Sequence, residues 1–146
     1  MATVTAEVEI TVHLAAVWDL YFDPDRWPDW VDQFASVVHS DGYPDVGGTL
    51  RWRSGRAGRG EVSERVVEHQ PRTRHRIEFS DPESDGELLT VFEPIQEGTR
   101  LSQEFTYELR DAGAFARAAD VFFVRSQMRA SLTRSLEALL MELAGL

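Results

Sequence analysis

The sequence predicts an α+β fold in which a curved antiparallel sheet of seven strands wraps around one long C-terminal helix. Three observations lead to this prediction: polar and apolar residues alternate from Val4 to Val12, strand and turn signals follow one another from Ala35 to Leu109, and an apolar stripe at helical spacing runs from about Gly113 to Leu143. Neither a one-sided sheet nor a single amphipathic helix can bury its apolar face alone, so the simplest arrangement packs one against the other. The chain length suits a single domain, residues 1–146.

Two short helices are predicted after the first strand. Apolar residues at helical spacing between 17 and 22 indicate the first, which ends at Asp23 because the residue before a proline avoids the α conformation. Asp25 is the predicted cap of the second short helix, which carries Trp27 and Trp30.

The middle of the chain is predicted to be an antiparallel meander. Turns rich in glycine, proline and aspartate separate segments with strand patterning, and connections this short favour antiparallel neighbours. A strand around Val37 and Val38 comes first. The strands after it are predicted at 49–53, 61–70, 73–80, 87–93 and 99–109.

The last segment is predicted to be a helix of about 30 residues, which would reach roughly 45 Å at 1.5 Å per residue. Asp111 is its predicted cap, and Arg125 and Arg129 are expected to continue the apolar stripe across its one gap. The stripe itself consists of Phe115, Ala119, Phe122, Leu132, Leu136, Leu139 and Leu143.

Composition excludes several classes of protein and site. The formal charge of −10 opposes binding of nucleic acid, and the absence of cysteine excludes disulfides and thiolate metal ligands. Neither a signal peptide nor an apolar run long enough to span a bilayer is present, so a cytoplasmic protein is expected.

His69 and His75 flank one predicted turn, but the four histidines show no metal spacing, so neither a metal nor a cofactor is expected. The arginines between 51 and 59 are interpreted as a surface rim.

Five phrases in the same order resemble the START/SRPBCC superfamily of polyketide cyclases, birch-allergen-like proteins and lipid carriers. They are Val8 to Asp23, Trp27-Pro-Asp-Trp30, Val46-Gly-Gly-Thr49, Val66 to Pro71 and Gly98-Thr-Arg-Leu101. The chain looks nearest to the bacterial polyketide cyclase/dehydrase-like group. That resemblance implies a helix-grip fold with a cavity between the sheet and the C-terminal helix. It also implies an apolar ligand, although function on such a fold comes from the site and not from the fold.

Alternation along the strands predicts which residues face that cavity. Leu101, Gln103, Phe105 and Tyr107 share one face, and across the turn at Pro71 the residues Val62, Glu64, Val66 and Glu68 are expected opposite Phe79, Ile77 and His75. Glu64, His75 and Tyr107 are the candidate catalytic residues because they are ionisable groups on an otherwise apolar face. The candidate ligand-binding residues are Trp27, Trp30, Phe34, Trp52, Glu64, Ile77, Thr90, Phe92, Gln103, Phe105, Tyr107, Phe122, Arg125 and Arg129.

Each of these residues also has an ordinary structural interpretation. The polar ones could form a satisfied hydrogen-bond network, and Trp52 could be plain core, with a one-residue slip of its strand exchanging it for Arg51 or Arg53.

Three functions therefore stay open. The first is binding of an aromatic, polyketide-like or lipid-like molecule, with or without cyclase or dehydratase activity. The second is a carrier of lipids or quinones, and the third is a protein-interaction module resembling chaperone activators. A cavity above roughly 300 Å³ favours the ligand-binding functions. A homodimer stays open as well.

Overall fold

The computed structural model describes residues 1–56, 58–110 and 114–145, with side chains of the last helix described from residue 122 onward. The elements in chain order are β1 (Ala2–Ile10), α1 (Leu14–Tyr21), a 3₁₀ helix (Pro24–Asp29), β2 (Phe34–Asp41), β3 (Thr49–Ser54), β4 (Glu61–Gln70), β5 (Arg74–Ser80), β6 (Ser84–Ile95), β7 (Gly98–Leu109) and α2 (Ala114–Ala144).

The seven strands form one antiparallel sheet in the order β1-β7-β6-β5-β4-β3-β2. This confirms the predicted fold class, and the predicted strands differ from the observed ones mainly at their ends. No helix in the part of the chain that the structure describes is both long and apolar enough to cross a lipid bilayer.

Alternation places the expected side chains on the inner face of the sheet. Leu101, Gln103, Phe105 and Tyr107 are all at most 5% exposed, and Leu50 and Trp52 are buried on the same side, so the slipped register of β3 does not occur. The inner face is therefore apolar with a few polar members, as the sequence predicts.

The segment after α1 is a 3₁₀ helix whose cap differs from the predicted one. The side chain of Asp23, not that of Asp25, accepts the capping hydrogen bond, which comes from the backbone N–H of Asp25. Pro24 and Pro28 both lie within this helix and lack the N–H that an α-helical ladder needs, which favours a short, tight turn. The indole N–H of Trp27 donates to the carbonyl of Tyr21 at 2.9 Å and fastens the segment to α1.

A β-bulge in β4 changes the predicted pairing near the turn at Pro71. Glu64 and Val66 pair with Phe79 and Ile77, but the register shifts between Val66 and Glu68, so that His69 pairs with His75. The prediction that Glu68 faces inward is therefore wrong. Glu68 lies on the outer face, where its Oε1 is 3.3 Å from the Nε of Arg74. An inserted residue reverses the alternation beyond it, and counting by twos cannot detect the insertion.

Helix α2 packs against β1, α1 and the 3₁₀ helix. Leu136, Leu139 and Leu143 are at most 2% exposed, which confirms that part of the stripe. Phe122, however, is 81% exposed, so its place in the stripe is wrong. It lies ten residues before Leu132, and at 3.6 residues per turn this rotates it by about 80° from the stripe.

Met128 and Val124 continue the stripe in its place, at steps of four from Leu132, and both are partly buried. Arg125 and Arg129 are exposed, and Arg125 donates from Nη2 to the carbonyl of Thr3 at 3.2 Å. The predicted positions of Phe115, Ala119 and the cap Asp111 fall outside the described side chains.

We expect Leu139→Ala to lower the free energy of unfolding by about 2–5 kcal/mol, because it removes a fully buried side chain and leaves a cavity. Met141→Ala is the matched control on the same helix, where 74% of the side chain is exposed, and its effect should stay within about 0.5 kcal/mol. Chemical denaturation followed by circular dichroism measures both. Equal losses in the two variants would contradict the packing of this helix.

Candidate ligand-binding site

A chamber of about 110 Å³ lies between the inner face of the sheet, the 3₁₀ segment and α2. Its aromatic and aliphatic walls include Tyr21, Trp27, Trp30, Tyr43, Trp52, Ile77, Leu88, Phe105 and Leu132. Its polar side chains are Asp32, Arg59, Glu64, His75, Gln103, Ser131 and Ser135.

A groove of about 620 Å³ adjoins the chamber, between α2 and the turns that carry Gly60 and Pro82. Asp32, Trp52, Arg59 and Ser131 line both spaces, so the two are neighbours that share these side chains as a wall. The chamber alone is smaller than the roughly 300–1,000 Å³ typical of ligand pockets, whereas the groove lies within that range.

A wider depression of about 960 Å³ covers part of the outer face of the sheet. Charged side chains there are exposed and pair with each other, as Arg65 does with Glu78. This depression is therefore a weaker candidate for a ligand-binding site than the interior.

Four buried side-chain polar atoms have no hydrogen-bond partner among the described residues: Trp30 Nε1, Arg59 Nη2, His75 Nε2 and Gln103 Oε1. All four belong to side chains that line the chamber. Leaving such an atom unpaired costs roughly 1–3 kcal/mol, and buried polar atoms without a partner are rare in native proteins. Their concentration in one place gives the chamber wall spare hydrogen-bonding capacity: two donors, one acceptor and one imidazole nitrogen.

The orientation of Gln103 is fixed by two neighbours. Its Nε2 donates to the hydroxyl of Tyr21 at 3.1 Å, and that hydroxyl lies 2.8 Å from Oγ1 of Thr90. Burial raises the pKa of Tyr21 to about 12, so the phenol stays neutral. The amide oxygen of Gln103 is thus left as a fixed acceptor.

Glu64 is held by an indole. Trp52 donates from Nε1 to Oε2 of Glu64 at 2.8 Å. Burial raises the pKa of Glu64, and both this hydrogen bond and the charge of Arg59 oppose that rise. The balance favours the protonated acid at a higher pH than for an exposed glutamate.

Arg59 lies at the junction of chamber and groove, although the sequence interpretation assigned it to a surface rim. Its Nε donates to Oδ2 of the buried Asp81 at 2.9 Å. The guanidinium carbon sits 4.6 Å from the ring centre of Phe79 and 5.3 Å from that of Phe105, within cation–π distance. The glycine-rich turn before β4 brings it there, and no periodic pattern in the sequence marks such a turn residue.

His75 and His69 contact each other through their Nδ1 atoms, which are 3.0 Å apart. Burial, with a smaller effect of His69, lowers the pKa of His75 to about 3, so its imidazole is neutral at pH 7. Within the described residues no group of three or more potential metal ligands occurs.

Seven of the predicted ligand-binding residues line the chamber: Trp27, Trp30, Trp52, Glu64, Ile77, Gln103 and Phe105. His75 joins them. The other predicted residues lie elsewhere. Phe34 packs behind Trp27 and Trp52, Thr90 lies in the network of Tyr21, and Phe92 packs on Trp18.

Tyr107 is buried beside Phe105 but does not line the chamber. Alternation predicts on which face of the strand a residue lies, but it does not predict how far along the strand the chamber extends. Phe122, Arg125 and Arg129 are exposed on α2 and do not line it either. The phenols in the chamber belong instead to Tyr21 and Tyr43, which the strand pattern could not reveal.

A comparison of the sequence with protein-family models identifies the family of this chain. A family model described as polyketide cyclase / dehydrase and lipid transport matches residues 1–143. No curated protein matches the sequence.

Similar folds occur among solved structures. A protein from Thermus thermophilus is 22% identical with a TM-score of 0.77, covering 99% of this chain and 98% of its own. A protein from Rhodobacter sphaeroides is 18% identical with a TM-score of 0.74, covering 98% and 92%. DynU16, from the dynemicin biosynthetic locus, is 18% identical with a TM-score of 0.69, covering 97% of this chain and 47% of its own. At these identities the likeness extends to the fold alone.

We expect the stability of the protein to fall as the pH drops from 7 toward 4. The unfolded chain takes up a proton on His75 near pH 6.5, whereas the folded chain resists this down to about pH 3. The loss from this one group should approach about 1.4 kcal/mol per pH unit. His75→Asn should flatten the slope, as measured by denaturant unfolding at several pH values.

Exposed His39 provides the control, and His39→Asn should leave the slope unchanged. The raised pKa of Glu64 acts in the opposite direction above about pH 4.5, but it is common to all three proteins and cancels in the comparison. A slope that His75→Asn does not alter would contradict the burial of a neutral imidazole.

Proposed function

The chain belongs to the polyketide cyclase / dehydrase and lipid transport family, and we propose that it binds a small, largely apolar molecule in the chamber and adjoining groove. One observation carries this proposal. Every buried side-chain nitrogen or oxygen that lacks a partner in the described residues belongs to the chamber wall. A few placed polar groups in an apolar pocket are typical of sites that orient a ligand.

The wall chemistry favours a ligand of aromatic or polyketide type that carries carbonyl or hydroxyl oxygens. Trp30 and Arg59 offer donors to such an oxygen, and Gln103 offers an acceptor to a hydroxyl. The chamber is of the same order as the 150 Å³ cavity that accommodates benzene. It would therefore take one ring, while the rest of the ligand lies in the groove.

The interaction-module alternative is less well supported. It requires an interior filled by side chains, but Phe122 points away from the interior and the chamber remains between Trp52 and Phe105. The exclusion of nucleic acid, the homodimer and the cytoplasmic location remain predictions.

A dehydratase or cyclase activity is a second candidate function, favoured by the state of Glu64. Both reactions need an acid that protonates an oxygen of the substrate. Glu64 lines the chamber, its Oε2 is occupied by the indole of Trp52, and burial raises its pKa. Its other oxygen is the group that would give a proton to a departing hydroxyl.

Trp30→Phe should weaken binding of naphthol by about 2- to 10-fold, because it removes one hydrogen-bond donor worth roughly 0.5–1.5 kcal/mol. Fluorescence titration with naphthol and with naphthalene separates the hydroxyl contribution from the loss of ring area. The loss of ring area should affect both probes alike. The loss of the donor should reduce the preference for naphthol over naphthalene.

Trp27→Phe is the matched control, because the indole N–H of Trp27 is already satisfied by the carbonyl of Tyr21. That variant should lose stability and keep the wild-type preference for naphthol. A preference that survives in Trp30→Phe, or wild-type protein that binds neither probe, would argue against the proposed site.

Glu64→Gln should keep the affinity for naphthol within about twofold, since the amide can still accept from Trp52. The same variant should abolish dehydration of a phenyl-bearing β-hydroxy ketone, which is followed by the ultraviolet absorbance of the conjugated product. Turnover that persists in Glu64→Gln would exclude Glu64 as the acid. Wild-type protein that binds the ketone without converting it would identify a carrier.

Native mass spectrometry of freshly purified protein would show which ligand the chain carries from its host.

A further inference from the structure

The contact between His69 and His75 depends on the bulge in β4. Without the register shift after Val66, His69 would point to the outer face; with it, His69 pairs directly with His75 on the inner face. The two Nδ1 atoms then lie 3.0 Å apart. This places a partly exposed histidine next to one that is 2% exposed.

A hydrogen bond between two Nδ1 atoms restricts the protonation of both rings. When both rings are neutral, one Nδ1 must carry the proton and the other must accept it. The ring that donates from Nδ1 has a bare Nε2, and the ring that accepts has a protonated Nε2. The Nε2 of His75 belongs to the chamber wall and has no partner among the described residues, so His69 decides whether that atom is a donor or an acceptor.

We propose that His69 and His75 form a proton relay between the chamber and the solvent, with His69 as the positioning residue. In one direction Nε2 of His69 takes a proton from water and its Nδ1 proton moves to Nδ1 of His75. The Nε2 proton of His75 then passes to the ligand. One proton enters and one leaves, the hydrogen bond reverses its direction, and neither ring gains charge. The inference rests on the proposed function, because a relay matters only if the chamber holds a molecule that exchanges protons.

The surroundings of the pair support a neutral relay. Phe22 packs against both imidazoles, Trp18 packs against His69, and Tyr43 packs against His75. The charge of Asp45 raises the pKa of His69, and the charge of His69 lowers the pKa of His75. Burial lowers the pKa of both histidines, which favours neutral rings. Among the described residues no carboxylate hydrogen-bonds to either ring, so no salt bridge within them holds the proton on the pair.

Exchange of the ring N–H of His75 with heavy water, followed by nuclear magnetic resonance on the free protein, tests the relay. His69→Phe removes the hydrogen bond and the relay together. His69→Asn keeps a hydrogen-bonding group near the position of Nδ1 but cannot pass a proton on. Both variants should slow the exchange by about 100-fold, the low end of what a positioned proton-transfer group contributes. His39→Asn changes an exposed histidine on β2, which pairs with neither β4 nor β5, so it leaves the pair intact and should exchange at the wild-type rate.

Exchange restored to the wild-type rate in His69→Asn would overturn the relay, because His69 would then serve as a hydrogen-bond partner only. Wild-type exchange in His69→Phe would overturn it as well, since protons would then reach His75 through the groove. If His69→Phe does not fold, His69→Asn still decides the matter. Naphthol affinity measured on the same proteins keeps the two proposals apart, because a wild-type protein that binds no naphthol contradicts the proposed function without affecting the exchange rates.

Discussion

The burial of the C-terminal half of α2 is the interaction on which the rest of the structure depends. Leu136, Leu139 and Leu143 lose nearly all their solvent exposure, and each contributes roughly 1.5–3 kcal/mol. Toward its N-terminus the helix covers the sheet less completely, since Val124, Met128 and Leu132 are only partly buried. The groove opens along this part of the helix, so the same packing that closes one end of the fold leaves the other end accessible.

Desolvation determines the electrostatics of the space left inside. Burial raises the pKa values of Tyr21, Tyr43 and Glu64 and lowers that of His75, and each shift favours the uncharged form. The exceptions are Arg59, which pairs with Asp81 and packs over two aromatic rings, and Asp32, which pairs with Arg134. A chamber whose other walls are neutral and whose two charges are already paired suits a neutral molecule with polar oxygens better than an ion.

The layout of the fold could be predicted from period-two alternation in the strands and the leucine stripe of the last helix, and alternation also identified part of the candidate site. Gln103 and Glu64 were found as polar residues on an apolar face, and the covering helix was found from its leucines. Alternation does not report how far along a strand the chamber extends, which is why Tyr107 is buried but lies outside it. Bridging a gap in a helical stripe likewise failed at Phe122, because a step of ten residues at 3.6 residues per turn places it about 80° from the stripe.

Two polar residues that the strand pattern did not place inside, His69 and Arg59, share a physical origin. His69 reaches the inner face through a β-bulge, and Arg59 reaches the junction of chamber and groove through a glycine-rich turn. Both are interruptions of the regular pattern, and each supplies a polar group that the regular strands could not place there. A strictly alternating β4 would have put Glu68 inside next to His75 and kept His69 outside. The bulge thus exchanges a carboxylate that would need a partner for an imidazole that can stay neutral, which is the less costly group to bury in this chamber.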